Sequence, residues 1–211
     1  MKIVSAPLPV SQYFQGVFTK RNIVLHHTVS STAKSALTWW AVDPGRIGTA
    51  YVIDKDGTIY EAFKPEYWAH HLGLKTSNNV ALNKCSIGIE IVNEGPLKMI
   101  PHVGYRWNLS QAKPEGFSYT GEVRTIRPSW KGIHYWATYT DAQYEALNEL
   151  LPMLLDQFHL PPTICPDNQY DPKAPYKYTI YTHSNVRLDK TDVSPAFDFQ
   201  RITCLTPPVP A

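Results

Sequence analysis

In the stretch HSNVRLDKTD, His183, Lys190 and Asp192 fall within ten turn-rich residues. A strand or helix that only completes a core has no use for three such side chains so close together, whereas an imidazole and a carboxylate are both metal ligands. A further histidine in strand-like surroundings is His26, at the end of IVLHHT, and His183 itself closes the apolar run YTIYT. Two strand-end imidazoles and one carboxylate could build a tetrahedral site with its fourth position open to water, the arrangement a hydrolase needs. One histidine beside a strand is more often a hydrogen-bonded structural group. The weight therefore rests on the three together.

Several elements must position these residues. NIVLHHT (Asn22 to Thr28) reads as a buried strand. TAYVIDKDGTIYEAF reads as a hairpin turning through Asp54 to Gly57, and SIGIEIVN (Ser86 to Asn93) as a further strand ended by EGP. A helix is expected over Thr32 to Trp40, with Leu37 and Trp40 on its apolar side. A second is expected over Thr140 to Phe158, opened by a capping box of Thr140 and Gln143 and interrupted or kinked at Pro152. Residues 95–139 form a long aromatic connection of weak periodicity, which is either functional or builds its own small hairpin. Its aromatics Tyr105, Trp107, Phe117, Tyr119, Trp130, Tyr135 and Trp136 suit a self-packed hairpin, with a wall of a substrate groove as the alternative. Residues 205–211, TPPVPA with the preceding Leu205, read as a flexible tail.

Composition bounds the function. A chain of 211 residues, 43% hydrophobic, can bury one full core, so a single domain with elaborated loops is expected. A net charge of +2 without any basic run argues against nucleic acid as partner. Residues 1–20 contain no apolar run of the kind that opens an export signal, and no later stretch reaches the roughly 20 apolar residues of a membrane span. Synthesis in the cytoplasm without a signal peptide is expected. Cys85, Cys165 and Cys204 are odd in number and widely spaced, so they read as inert thiols.

Six blocks in order, IVLHHT, AYVIDKDGTIYEAF, WAHHLG, CSIGIEIVNEG, YTDAQYEALNELL and HSNVRLDKTDVSPAFDF, resemble the type 2 N-acetylmuramoyl-L-alanine amidases, relatives of phage amidase endolysins and peptidoglycan recognition proteins. The resemblance spans residues 22 to about 201 and leaves out the insertion.

The resemblance implies an α/β (α+β) fold, a mixed central sheet flanked by helices with a metal groove on one side, and one zinc amidase domain over 1–211. It implies a single Zn2+ held by His26, His183 and Asp192, with His27 on the opposite strand face. Glu90 matches the residue that exchanges protons with the attacking water, and Lys190 the one that stabilises the oxyanion. Thr49 stands where related lysins carry a tyrosine, which favours Glu90. WAHHLG has one residue more than the family's block; His71 is its equivalent by distance to Gly73, with His70 as alternative, and both are expected, with Trp68, to line the muropeptide groove. The expected substrate is peptidoglycan or a muropeptide, cleaved by a monomer. A wall-lytic enzyme such as an endolysin, a cytoplasmic muropeptide-recycling amidase and a non-catalytic wall-binding protein are the three readings left open.

Overall fold

The computed structural model describes residues 2–203. Its strands are β1 (Ile3–Ser5), β2 (Asn22–His27), β3 (Tyr51–Ile53), β4 (Ile59–Glu61), β5 (Ser86–Ile91), β6 (Pro96–Ile100), β7 (Gly104–Trp107), β8 (Phe117–Tyr119), β9 (Val123–Trp130), β10 (Ile133–Ala137) and β11 (Ile180–Thr182). The helices are α1 (Ala33–Trp40), α2 (Asn79–Cys85), α3 (Asp141–Gln157), α4 (Ala174–Lys177) and α5 (His183–Val186).

Six strands form a mixed sheet in the order β1-β4-β3-β5-β2-β11. The β3–β4 pair is the antiparallel hairpin foreseen at DKDG, and the remaining pairs are parallel. Buried on both faces, β2 and β5 read as the near-continuous apolar runs that central parallel strands require. Gly57, at φ +80, closes the hairpin in a conformation open to glycine, and its amide donates to Asp54 O at 3.0 Å.

α1 and α3 cover this sheet. Thr32 caps α1 by accepting from Ser35 N, and Ala33, Ala36 and Trp40 form its buried side, with Leu37 packed against the core. The α3 capping box is present: Gln143 N donates to Thr140 Oγ1 and Thr140 N to Gln143 Oε1. Tyr144, Leu147, Leu151 and Leu154 are buried as expected. Contrary to expectation, Pro152 does not interrupt the helix. It lies on the exposed face, where the Asn148 carbonyl that loses its partner can turn towards water.

The insertion is more than a hairpin. β6 to β10 make a second, five-stranded antiparallel sheet in the order β8-β7-β6-β10-β9. Leu97, Trp107 and Ala137 form its own small core with Tyr105, Tyr119, Val123 and Tyr135. Asn93 staples the neck: its side chain donates to the carbonyls of Ala137 and Thr138 and accepts from Gly95 N. Cys85 and Cys165 are free thiols, and burial pushes Cys165 up to about 11, in keeping with inert groups. Cys204 and the tail lie outside the described residues. Among the described residues, no helix is long and apolar enough to cross a membrane.

Candidate metal and catalytic centre

Parallel pairing explains why three distant segments meet. His26 on β2 stands opposite Glu90 on β5, so the two side chains share a face of the sheet. The β2–β11 register, Thr182 against Leu25, places His183 beside His26 when continued by one residue. His183 is then the first residue of α5, whose start is fixed by Thr182 N donating to Asn185 Oδ1 at 2.7 Å. Ser184 N donates to Asp192 O at 2.7 Å, which folds the 187–192 loop back and brings its carboxylate to the histidines.

The result is a buried triangle. His26 Nδ1 lies 3.0 Å from both His183 Nδ1 and Asp192 Oδ2, and His183 Nδ1 lies 2.9 Å from Asp192 Oδ2. The surrounding hydrogen bonds assign the single proton of each imidazole in its neutral form. His183 Nε2 donates to Leu72 O at 2.7 Å, so its Nδ1 is bare. Ser86 donates its hydroxyl to Leu82 O, so it accepts from His71 Nε2 at 2.9 Å. His71 Nδ1 is therefore bare and accepts from His26 Nε2 at 3.0 Å, which leaves His26 Nδ1 bare as well.

With both imidazoles neutral, the form that binds a metal, three lone-pair atoms thus face one another. Burial lowers His26 to about 4, against the opposing pull of Asp192. Burial also resists ionisation of Asp192, but with a proton in the triangle the charges and hydrogen bonds of His183 and His26 outweigh it and hold the carboxyl well below its usual range. Mutually repelling donors in a buried pocket are relieved by a cation at their centre, a proton or a metal ion. Their 2.9–3.0 Å separations are close to the roughly 3.3 Å edge of a tetrahedron with zinc bonds of about 2.0 Å. The residues therefore fit a zinc ion.

Glu90 and Lys190 line the same cavity of about 500 Å³ as the triangle. One carboxylate oxygen of Glu90, Oε2, is buried without a hydrogen-bond partner. Burial, with the nearby Asp192 charge, raises its pKa well above the carboxylate range, and Lys190 partly offsets this. Thr49 lies on the cavity wall with its hydroxyl committed to Tyr51 O. Trp39, half exposed, and Asn108 of the insertion also line it.

His27 sits apart from the triangle, bonded to the Tyr139 hydroxyl at 3.0 Å, and that hydroxyl accepts from Ser194 N. His71 lines the cavity, yet both its ring nitrogens are engaged, one by His26 and one by Ser86. It has no free nitrogen for the hydrogen bond to a muropeptide expected above. Neither Trp68 nor His70 lines the cavity. Trp68 stacks on Phe14 at 4.1 Å, and His70 meets both rings edge-on. None of the seven insertion aromatics lines it either. They pack on one another instead, as in Tyr105 with Tyr135 and Trp107 with Phe117.

Sequence reasoning missed the structural role of Ser86, His71's partner, and of Lys131. The Lys131 ammonium, on the β9–β10 turn, donates to Leu188 O at 2.9 Å and to Lys190 O, gripping the loop that carries Lys190. The Lys131-Gly132 pair could have marked a turn in the sequence, but the carbonyl it reaches lies 57 residues away.

A mixed sheet whose strand ends present a metal-ready donor triangle beside an unpartnered carboxyl is the framework of a hydrolase. Residues 18–196 match the family model described as N-acetylmuramoyl-L-alanine amidase, and the chain belongs to that family. Solved structures with the same fold include AmpD in a selenomethionine derivative (TM-score 0.55, 18% identity, 97% of this chain and 95% of that one). They also include AmiD of E. coli, bound to anhydro-N-acetylmuramic acid-L-Ala-D-γ-Glu-L-Lys (TM-score 0.56, 18% identity, 89% and 58%). A third is the amidase LysC of Clostridium intestinale (TM-score 0.50, 17% identity, 96% and 95%). Comparison with curated proteins gave no match.

Proposed function

We propose that the protein is a zinc-dependent, cell-wall-lytic amidase of the endolysin kind, folded as one catalytic domain with an inserted sheet. It cleaves the amide between the lactyl group of N-acetylmuramic acid and L-alanine. The observation that carries this reading is the convergence, in one cavity, of the His26–His183–Asp192 triangle and the unpartnered Glu90 carboxyl. Bound there, zinc would supply a water of pKa lowered to about 7 and a Lewis acid for the amide carbonyl.

The chain's own groups do the rest. Glu90, made a stronger base by burial that disfavours its charged form, accepts the proton of the attacking water and returns it to the leaving amine. Lys190 faces the developing oxyanion, where a positioned charge of this kind is worth roughly a hundred- to thousandfold in turnover. His71 orients His26 rather than holding substrate. Conserving His26's bare Nδ1 needs an acceptor on Nε2, and His71 Nδ1 is that acceptor.

The test is release of new amino termini from purified sacculi and from a soluble anhydro-muropeptide, with and without a chelator. Chelator-sensitive cleavage of sacculi is expected. Cleavage of the soluble muropeptide alone would replace the lytic reading by a recycling one, and no cleavage of either would leave a wall-binding protein.

A further inference from the structure

The insertion carries the chain's excess positive charge. Residues 95–139 contain six basic and two acidic residues, while the rest of the chain contains fourteen basic and sixteen acidic. Part of this charge is lined up by the second sheet. Lys98 on β6 stands opposite Arg106 on β7. The β6–β10 ladder ends at Tyr135 against Leu97, and His134, the next residue, lies at the bulge of β10 and lines the same groove as Lys98. Lys98 and Arg106 therefore share one face of the sheet, and His134 joins Lys98 along the groove.

Like charges directly opposite each other destabilise a sheet. Among the described residues no carboxylate pairs with Lys98, Arg106 or His134. His134 Nδ1 donates to Ile126 O at 3.2 Å, which turns its other nitrogen away from that strand. Arg106 donates to Ser118 Oγ, a neutral partner. A lysine and an arginine set opposite each other without a carboxylate, retained at a cost in folding, are the footprint of an anion.

These cations adjoin the candidate catalytic centre. Lys98 and His134 line a groove of about 580 Å³ walled by Leu109, Ile133 and Tyr135, and Val29 and Asn108 line both this groove and the zinc-binding cavity. Val29 is a β-branched residue at φ 48, a conformation such residues rarely adopt, and Asn108 is at φ 53. The chain accepts strain at the junction between the two.

We infer that this groove takes the peptide arm of the substrate and binds its free carboxylates, so that the insertion makes the enzyme selective for acidic stem peptides. The inference rests on the amidase reading. Of the two sides of the scissile amide, the saccharide side is neutral, whereas a γ-linked glutamyl residue, as in the ligand bound to AmiD, keeps a free α-carboxylate. Charge thus assigns the peptide side to the cationic groove and the saccharide to the remainder of the cleft, beside Trp39 and Ile47. A wall polyphosphate on the same surface is the competing occupant.

Two measurements test this with the full-length, zinc-loaded protein. The first compares two N-acetylmuramoyl-L-Ala-D-γ-Glu-L-Lys substrates, one with the glutamyl α-carboxyl free and one with it amidated. Wild type is expected to cleave the free acid with a KM about tenfold lower and a similar kcat, the size of one charge-assisted hydrogen bond. In Lys98→Gln/His134→Gln, both exposed positions whose exchange leaves the small core untouched, that preference is expected to fall to near unity. The second titrates the free peptide L-Ala-D-γ-Glu-L-Lys by calorimetry at low and high salt; binding should weaken with salt and in the double variant. Equal KM for both substrates in wild type, or an undiminished preference in the variant, overturns the inference. Salt-sensitive binding of a polyphosphate but not of the peptide overturns it in favour of the competing occupant. Peptide binding without cleavage of either substrate supports the groove and refutes the amidase reading alone.

Discussion

His71→Phe separates a residue that holds a ligand in place from one that holds substrate. The substitution keeps a half-buried aromatic ring of similar size but removes the acceptor for His26 Nε2–H and the donor to Ser86 Oγ. His26 is 2% exposed, so water cannot replace the missing acceptor. An unsatisfied buried donor costs about 1–3 kcal/mol, and the imidazole can avoid it only by moving its proton to Nδ1, the atom that must stay bare. Loss of an outer partner of a metal-bound histidine lowers metal affinity by roughly 10- to 100-fold, the same energy range. Competition of the protein with a fluorescent zinc chelator reads this directly, with circular dichroism to show that the fold is kept. His71→Gln, whose side-chain oxygen can accept, is expected to recover part of the affinity. Unchanged zinc affinity together with a raised KM would refute the orienting role and restore His71 to the substrate surface.

Asp192→Ala is expected to abolish stoichiometric zinc binding, since two neutral imidazoles remain where a charged ligand stood; full zinc content after dialysis would refute the ligand set. Glu90→Gln should retain zinc and lower kcat by roughly 100- to 10,000-fold with little change in KM, measured by amine release; near-normal turnover would place the base elsewhere. Lys20→Met should destabilise the fold by about 2–4 kcal/mol in urea denaturation. Its buried ammonium donates to the carbonyls of Tyr67, Lys84 and Ser86, which the substitution leaves without that donor. An unchanged midpoint would show that water reaches those oxygens.

The elements carrying the triangle were legible because their signals are local. Apolar runs mark β2 and β5, Asp54 to Gly57 marks the hairpin, and Thr140 with Gln143 marks the start of α3. Which histidines meet was a matter of register between strands far apart in sequence, and only the family resemblance supplied it. The His71–Ser86 link was hidden for the same reason, as it joins an irregular segment to the first residue of a strand. In the insertion, alternation is blurred because both sheet faces mix aromatic and polar residues, so five strands read as a loop. The short helix α2 lacks a side-chain cap and an apolar stripe, with only Asn83 buried, and offered nothing to periodicity.

The neck and the tip of the inserted sheet obey different logics. At the neck, Asn93 draws the outgoing and returning chains together, with Ala137 N donating to Gly95 O at 3.0 Å. A two- or three-residue splice there would leave the central sheet intact, so topology makes the arm a removable cassette. At the tip, Lys131 grips the carbonyls of Leu188 and Lys190. Excision would therefore remove the two hydrogen bonds that brace the loop carrying Lys190, while leaving the His26–His183–Asp192 triangle on the central sheet and its adjoining loop. On the role proposed for Lys190, shortening the arm is expected to lower turnover through this hydrogen-bonded strut.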